Sequence, residues 1–327
     1  MAAYVQISRC RLCGNEELLP VLSLGIQALT GVFPKSRAEA VTAGPVDLVK
    51  CAETPEGRTC GLVQLRQSYD KAEMYGNRYG YRSGLNPSMV RHLRSKVDAI
   101  LAKVTLAAGD LVVHIRSNDR TLLQAYPRGK AELVGIDPSG AQFRRYYPEG
   151  IELIPEFFSA QALRARFGGR KAKVVTSIAM FYDLDSPADF VAEIAGVLAD
   201  DGVWVCEQSY LPAMIEQNAY DTVCHEHLEY YALRQIKWMT DRAGLKIIDL
   251  DFHAVNGGSF SFTAAKRAAA MPEAPLEEAL RREAPYSTPA PFTSFRDSVQ
   301  SHRDGLVSFF KEARLAGRTI LGYGAST

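Results

Sequence analysis

In the stretch YDTVCHEHLEYY (220–231), His225, Glu226 and His227 stand side by side. Consecutive residues cannot share one helix face, and the spacing is not the HExxH of a zinc protease. A histidine with a glutamate neighbour instead offers a general base, because an imidazole titrates near neutral pH and a neighbouring carboxylate can orient it. The alternative is a surface loop with coincidental histidines. Four cysteines offer a different chemistry. Cys10 and Cys13 form CRLCG, and Cys51 and Cys60 follow some forty residues later in CAETPEGRTCG, with eight residues between them. Tetrahedral zinc takes thiolates at about 2.3 Å, and two pairs on two turns can supply four of them. A segment poor in core residues needs such a staple, which favours zinc over four unrelated buried cysteines. Cys206 and Cys224 read as unligated. Tyr75, Tyr79 and Tyr81, in MYGNRYGYRSG, either meet a ligand or pack between domains.

These residues must be held by ordered elements. Asn86 and Pro87 read as an N-cap and a first-turn proline, and Met89, Val90, Leu93, Val97, Ile100, Leu101 and Val104 recur at helical spacing after them. From Gly109 short apolar runs alternate with helical stretches. The runs are LVVHI (111–115), AELVGID (131–137), IELI (151–154), KVVTSI (173–178) and GVWVCEQ (202–208). Such alternation predicts an α/β fold with a parallel sheet. LKIIDLDFHAV and SFSFTAAKR, joined by Asn256-Gly257-Gly258, predict a closing antiparallel hairpin. A parallel sheet finished in that way is typical of the class I methyltransferase variant of the Rossmann arrangement.

In that arrangement the turn after the first strand approaches S-adenosylmethionine (SAM) and is glycine-rich, so that backbone can come close. Here the turn reads HIRSNDR (114–120), without glycine. Asp137, ending the second strand, either accepts the hydroxyls of a ribose or caps the Asp-Pro-Ser turn. No GxGxxG follows the first strand, which excludes a dinucleotide enzyme of the ordinary kind.

The 327 residues suit two or three domains, and 47% apolar with 23% charged residues is a globular composition. A net charge of +1 gives no electrostatic reason to expect a nucleic acid or an anionic membrane. The start has no apolar signal core and no run is long enough to span a bilayer, so the expected location is cytoplasmic, with reduced thiols. The expected divisions are a zinc-binding domain at 1–66, a Tyr-rich loop and helix at 67–105, a Rossmann-like domain at 106–270, a linker and helix at 271–315, and a strand at 316–327. The closing GRTILGYGAST reads as a strand entering a Gly-rich turn, hence as the start of a further, truncated domain.

In this order, the CxxCG and CGLVQL segments, the YxYxSG loop, SNDxTLL, GIDPS, HEHLEYY, NGGSF and GYGAS resemble the sugar-nucleotide C-methyltransferases of deoxysugar biosynthesis, which include dTDP-3-amino-sugar C-3-methyltransferases. The resemblance implies a zinc domain, a SAM-binding domain and a C-terminal Rossmann-like domain. It also implies deprotonation next to the 4-keto group of a nucleotide-linked sugar and attack of the enolate on the methyl of SAM. His227 would be the base and Glu226 its partner, and Tyr79 or Tyr81 would touch the sugar. Ser117, Asn118, Asp119, Asp137 and Ser177 would meet the cofactor, and the chain would act as a monomer. The family's Glu-Ile-Gly-Ser-Asn-Asp-Gly becomes His114, Arg116 and Arg120 at three signature positions, and a tyrosine of some members becomes Cys224. Arginine at two glycine positions also supports a competing class, a non-catalytic homologue that binds zinc and the nucleotide sugar without SAM.

Overall fold

The computed structural model describes residues 4–30, 34, 36, 38–54, 57–70, 74 and 81–322. The strands are β1 (Tyr4–Gln6), β2 (Leu18–Ala28), β3 (Ala43–Cys51), β4 (Val63–Leu65), β5 (Gln67–Tyr69), β6 (Leu111–Ile115), β7 (Glu132–Ile136) and β8 (Ile151–Ile154). They continue with β9 (Ala172–Ile178), β10 (Leu198–Ser209), β11 (Glu229–Tyr230), β12 (Leu245–His253) and β13 (Ser259–Lys266).

The central sheet runs β12-β13-β10-β9-β6-β7-β8. Pairs from β8 to β10 are parallel, whereas β13 lies antiparallel to both β10 and β12. This is the class I methyltransferase order. Every residue of β6 is buried, as a strand covered on both faces requires. Trp204, Phe181, Phe190 and Phe262 interlock over the sheet, each ring burying enough surface to stabilise the fold by about 1.5–3 kcal/mol. Gly258, at φ +111 in the hairpin turn, has no room for a side chain, since a Cβ there would meet that of Ala213 at 2.6 Å.

Helix Pro87–Leu101 starts as the sequence predicts: the Asn86 side chain accepts from the Ser88 N–H, and Pro87 occupies the first position. Burial of Leu93, Val97 and Ile100 fixes its rotation, which turns His92 and Lys96, one turn apart, toward the end of β10.

The N-terminal strands form a second sheet, β11-β4-β3-β2. Its edge strand β11 comes from the middle of the methyltransferase domain, so the two domains share a ladder. The stretch after residue 271 is not a linker. Leu276, Tyr286, Phe292, Phe295 and Val299 are buried, the last four against the N-terminal sheet, and the Glu283 carboxylate accepts from the Leu233 and Arg234 N–H groups at 2.7 and 3.0 Å. Sparse aromatic anchors among Pro, Ala and Glu concealed this packing. Helix Ala290–Leu315 follows, and residues 318–322 form no strand. The strand expected there has no neighbour to pair with among the described residues, and residues 323–327 lie outside them. Among the described residues no helix is long and apolar enough to cross a membrane.

Candidate functional site

A cleft of about 740 Å³ opens at the carboxyl ends of β6, β9 and β10, where open α/β sheets bind ligands. The HEH segment forms one wall, held from two sides. The Leu228 N–H donates to the Tyr182 carbonyl at 2.8 Å, and the Leu228 carbonyl accepts from the Leu65 N–H at 2.8 Å. The next two residues pair as β11 with β4, Glu229 opposite Gln64 and Tyr230 opposite Val63. Both Glu226 and His227 line the cleft.

His225 does not. It is fully buried between domains, edge-on to the Tyr69 ring at 4.6 Å, and its Nδ1 accepts from the Thr30 N–H at 3.4 Å. Burial lowers its pKa, so it sits there neutral. Residues 225 and 226 lie in a turn, not a strand, and the turn sends the His225 side chain away from those of Glu226 and His227.

His227 donates its Nδ1 proton to the Thr222 carbonyl at 2.8 Å, which leaves Nε2 for chemistry, and the Tyr182 ring meets it edge-on at 4.4 Å. Burial alone would depress its pKa. The Cys224 thiol, and behind it the Asp183 carboxylate, outweigh that and raise it to about 10. Cys224 and Asp183 are the leading acidic neighbours acting on His227. Glu226, the partner expected from sequence, is raised by burial and then by Asp183, while His227 and Arg116 pull it down. Nothing in the spacing of FYDLDSP singled out Asp183.

The turn after β6 keeps the backbone of a glycine loop without its glycines. Arg116, Asn118 and Arg120 have φ of 56, 49 and 68. A left-handed conformation costs such residues roughly 1–2 kcal/mol each. The Arg116 guanidinium lies 3.1 Å from Asp183. It lines both the main cleft and an adjoining cavity of about 320 Å³ walled by Ile136, Pro138, Phe157 and Phe158, so it stands between the two. Arg120 turns away to the Tyr146 carbonyl and Gln124. His114, because it is buried, falls to about 4; its Nδ1 lies 2.9 Å from the Thr176 hydroxyl. It is neutral at pH 7.

The other expected cofactor residues mostly hold the loop together. Asp137 lines the cleft, but one oxygen accepts from the Ser139 N–H and hydroxyl at 2.7 and 2.6 Å, and the other from the Asn118 N–H at 2.7 Å. The turn reading of Asp137 therefore describes it: its carboxylate closes the Asp-Pro-Ser turn on the cleft wall. Ser117 meets the Tyr147 hydroxyl at 2.8 Å, and Asn118 binds the Tyr81 carbonyl and the Ser83 N–H. Asp119 pairs with Arg82 at 3.1 Å and accepts from the Gly84 N–H. Ser177 is fully buried in β9 and accepts from Trp204 Nε1 at 2.9 Å; a fully paired hydroxyl inside the sheet is a core residue, not a cofactor contact. Tyr81 lines the cleft, with its pKa raised by burial. Tyr75 and Tyr79 lie outside the described residues.

SAM fits this site in part. The adjoining cavity, walled by Phe157 and Phe158 and also by Asp185, Asp189 and Glu193, offers ring-lined walls to an adenine, and Arg116 on its boundary opposes the passage of a sulfonium, in part offset by Asp183. Arg116 and its partner Asp183 stand on the boundary that the methionine end would have to pass.

The four cysteines converge as predicted. Sγ atoms of Cys10 and Cys60 are 3.5 Å apart, as are those of Cys13 and Cys51, and all four lie within 4.8 Å of one another. Gly14, at φ +74, closes the first knuckle and donates to the Cys10 carbonyl at 2.9 Å. None of the four is in a disulfide. Cys51 is lowered to about 6, chiefly by Cys10, while Cys60 is pushed up, chiefly by Cys10. Thiols this close cannot all ionise unaided, and a dication removes the conflict; four sulfurs at this spacing fit tetrahedral zinc.

Sequence reasoning missed one cluster. Glu207, buried near the end of β10, receives His92 Nε2 at 2.6 Å, Lys96 Nζ at 2.7 Å and His253 Nε2 at 3.0 Å. Burial opposes its ionisation, but His92 and Lys96 hold its carboxyl down at about 2. Only the i, i+4 spacing of His92 and Lys96 hinted at a shared partner.

Three family models match the chain in order. Residues 10–75 match a "Putative zinc binding domain", residues 91–250 a "Methyltransferase domain" and residues 254–327 a "C-methyltransferase C-terminal domain". The C-methyltransferase NovU of Streptomyces niveus is 29% identical over 332 aligned residues, covering 98% of this chain and 76% of its own. Among solved structures, LepI in complex with SAM matches 56% of this chain and 54% of its own at 14% identity, with a TM-score of 0.43. A S-adenosylmethionine-dependent methyltransferase from Clostridium acetobutylicum matches 54% and 92% at 10% identity, with a TM-score of 0.42.

Proposed function

For a chain with the class I methyltransferase fold, preceded by a zinc-binding domain and similar along its length to a C-methyltransferase, we propose C-methylation of a nucleotide-linked 4-keto-deoxysugar. The observation that carries this reading is His227, fixed through Nδ1 to Thr222 on the wall of a large cleft with Nε2 left to move a proton. A sugar carbon next to a ketone is acidic enough for such a base, and geometry of this kind contributes typically 10²–10⁴-fold. Tyr81 lines the same cleft and can support the enolate oxygen. SAM, when bound, supplies an electrophilic methyl group.

The test is exchange of the alpha proton of a nucleotide keto-sugar into heavy water, which needs no methyl donor. His227→Asn should abolish it, and unchanged exchange in that variant would refute the role. Methyl transfer from labelled SAM to a panel of such sugars identifies the acceptor.

The Arg116–Asp183 pair supports a second reading, a homologue that keeps zinc and the nucleotide sugar but not SAM. Tight binding of SAM to the unmodified chain excludes it.

A further inference from the structure

We infer that His92, Glu207 and His253 form a second metal site, separate from the four cysteines, for a divalent transition ion such as zinc. Three elements converge there: helix Pro87–Leu101 brings His92, β10 brings Glu207 and β12 brings His253. Their ligand atoms lie within 4.8 Å of one another. Both imidazoles present Nε2 to the carboxylate, His92 at 2.6 Å from Oε1 and His253 at 3.0 Å from Oε2. Around four-coordinate zinc, ligand atoms stand roughly 3.3 Å apart, so shifts under about 1 Å would close the set on an ion. Two imidazoles and one carboxylate suit zinc, cobalt or iron, whereas magnesium and calcium prefer oxygen donors throughout.

Lys96 now supplies the positive charge that a buried carboxylate requires, with Nζ 2.7 Å from Oε2. A dication would displace it, and the ammonium has somewhere to go. Lys96 also lines a separate cavity of about 300 Å³, with Asp249 and Asp251 among its walls. Its four-carbon stem can swing there and find a carboxylate again. Three protein ligands leave a coordination position open. Glu207 lines the main cleft, so that position would take an oxygen of a molecule bound there, whichever reaction the cleft performs.

The experiment is metal analysis and Co²⁺ titration of the full chain. Thiolate and imidazole–carboxylate cobalt differ in their visible spectra, so the two sites are counted separately. Two ions per chain are expected, one of them lost in His253→Asn and in His92→Gln while the thiolate-bound ion and the melting temperature persist. Lys96→Met should bind the second ion at least roughly tenfold more tightly, because a competing charge a few ångströms away is gone. One ion per chain in both the unmodified protein and Lys96→Met overturns the site. So does a second ion that survives both histidine substitutions.

Discussion

The Arg116 guanidinium meets Asp183 at 3.1 Å on the boundary between the cavity beside Asp137 and the main cleft. A sulfonium about 5 Å from a guanidinium, at an effective dielectric near 20, is repelled by roughly 3 kcal/mol, and because Asp183 offsets part of this the penalty is at most about a hundredfold in affinity. The unmodified chain should therefore bind SAM weakly, and Arg116→Gly should tighten binding by up to that factor in calorimetry. Arg120→Gly should change it little, because that side chain points at Tyr146 and Gln124. Equal effects of the two substitutions would contradict the assignment.

A base whose conjugate acid has a pKa of about 10 is neutral in roughly one molecule in a thousand at pH 7. Alpha-proton exchange should rise about tenfold per pH unit until that value is approached. The leading contribution that raises His227 is the Cys224 thiol, so Cys224→Ser should move the inflection down by about one unit or more and speed exchange at pH 7. Superimposable profiles would refute this. The stability linked to His227 has the sign of a raised group. It is complete below about 6.5 and lost as pH rises through about 10.

Two histidines of one tripeptide should separate cleanly. His225→Ala should destabilise the protein by about 2–4 kcal/mol in denaturant melts, since it empties a buried site against Tyr69, yet leave the pH profile of exchange in place. His227→Asn should abolish exchange, and its loss of stability should fade above about pH 10, where the linkage to that imidazole is gone. Matching losses in both variants would mean that the segment acts only through folding.

Removal of zinc, by a strong chelator or by Cys60→Ser, should unfold more than the N-terminal residues. Cys10, Cys51 and Cys60 share a core with Tyr231, Leu233 and Ile236. Hydrogen exchange should speed at the amide of Leu65, which bonds to the Leu228 carbonyl across the two domains, and at that of Leu228, which bonds to Tyr182 beside it. Protection at Leu228 unchanged in the metal-free protein would show the loop to be held independently.

Strands, helix caps and the cysteine set were legible in the sequence, because each rests on a short-range signal: alternation, an Asn-Pro start, two cysteine pairs. The crossing of β11 was not. Two residues that leave one sheet to join another carry no periodicity, and LEYY reads equally well as loop. Asp183 and Glu207 escaped for a related reason. A carboxylate becomes part of a site through partners far along the chain, Arg116 for one and His92, Lys96 and His253 for the other. The left-handed arginines were legible, since the resemblance marked their positions as glycine, and the backbone kept the glycine conformation after the glycines had gone.

The pairing of β11 with β4 has a consequence for how this chain can be divided. The matches at 10–75 and 91–250 part the protein between two strands that hydrogen-bond to each other. A fragment beginning near residue 91 would expose an orphaned edge at Glu229 and Tyr230, directly after the tripeptide that supplies the proposed base. Sequence modules here are units of inheritance, and the unit that folds is larger than any of them.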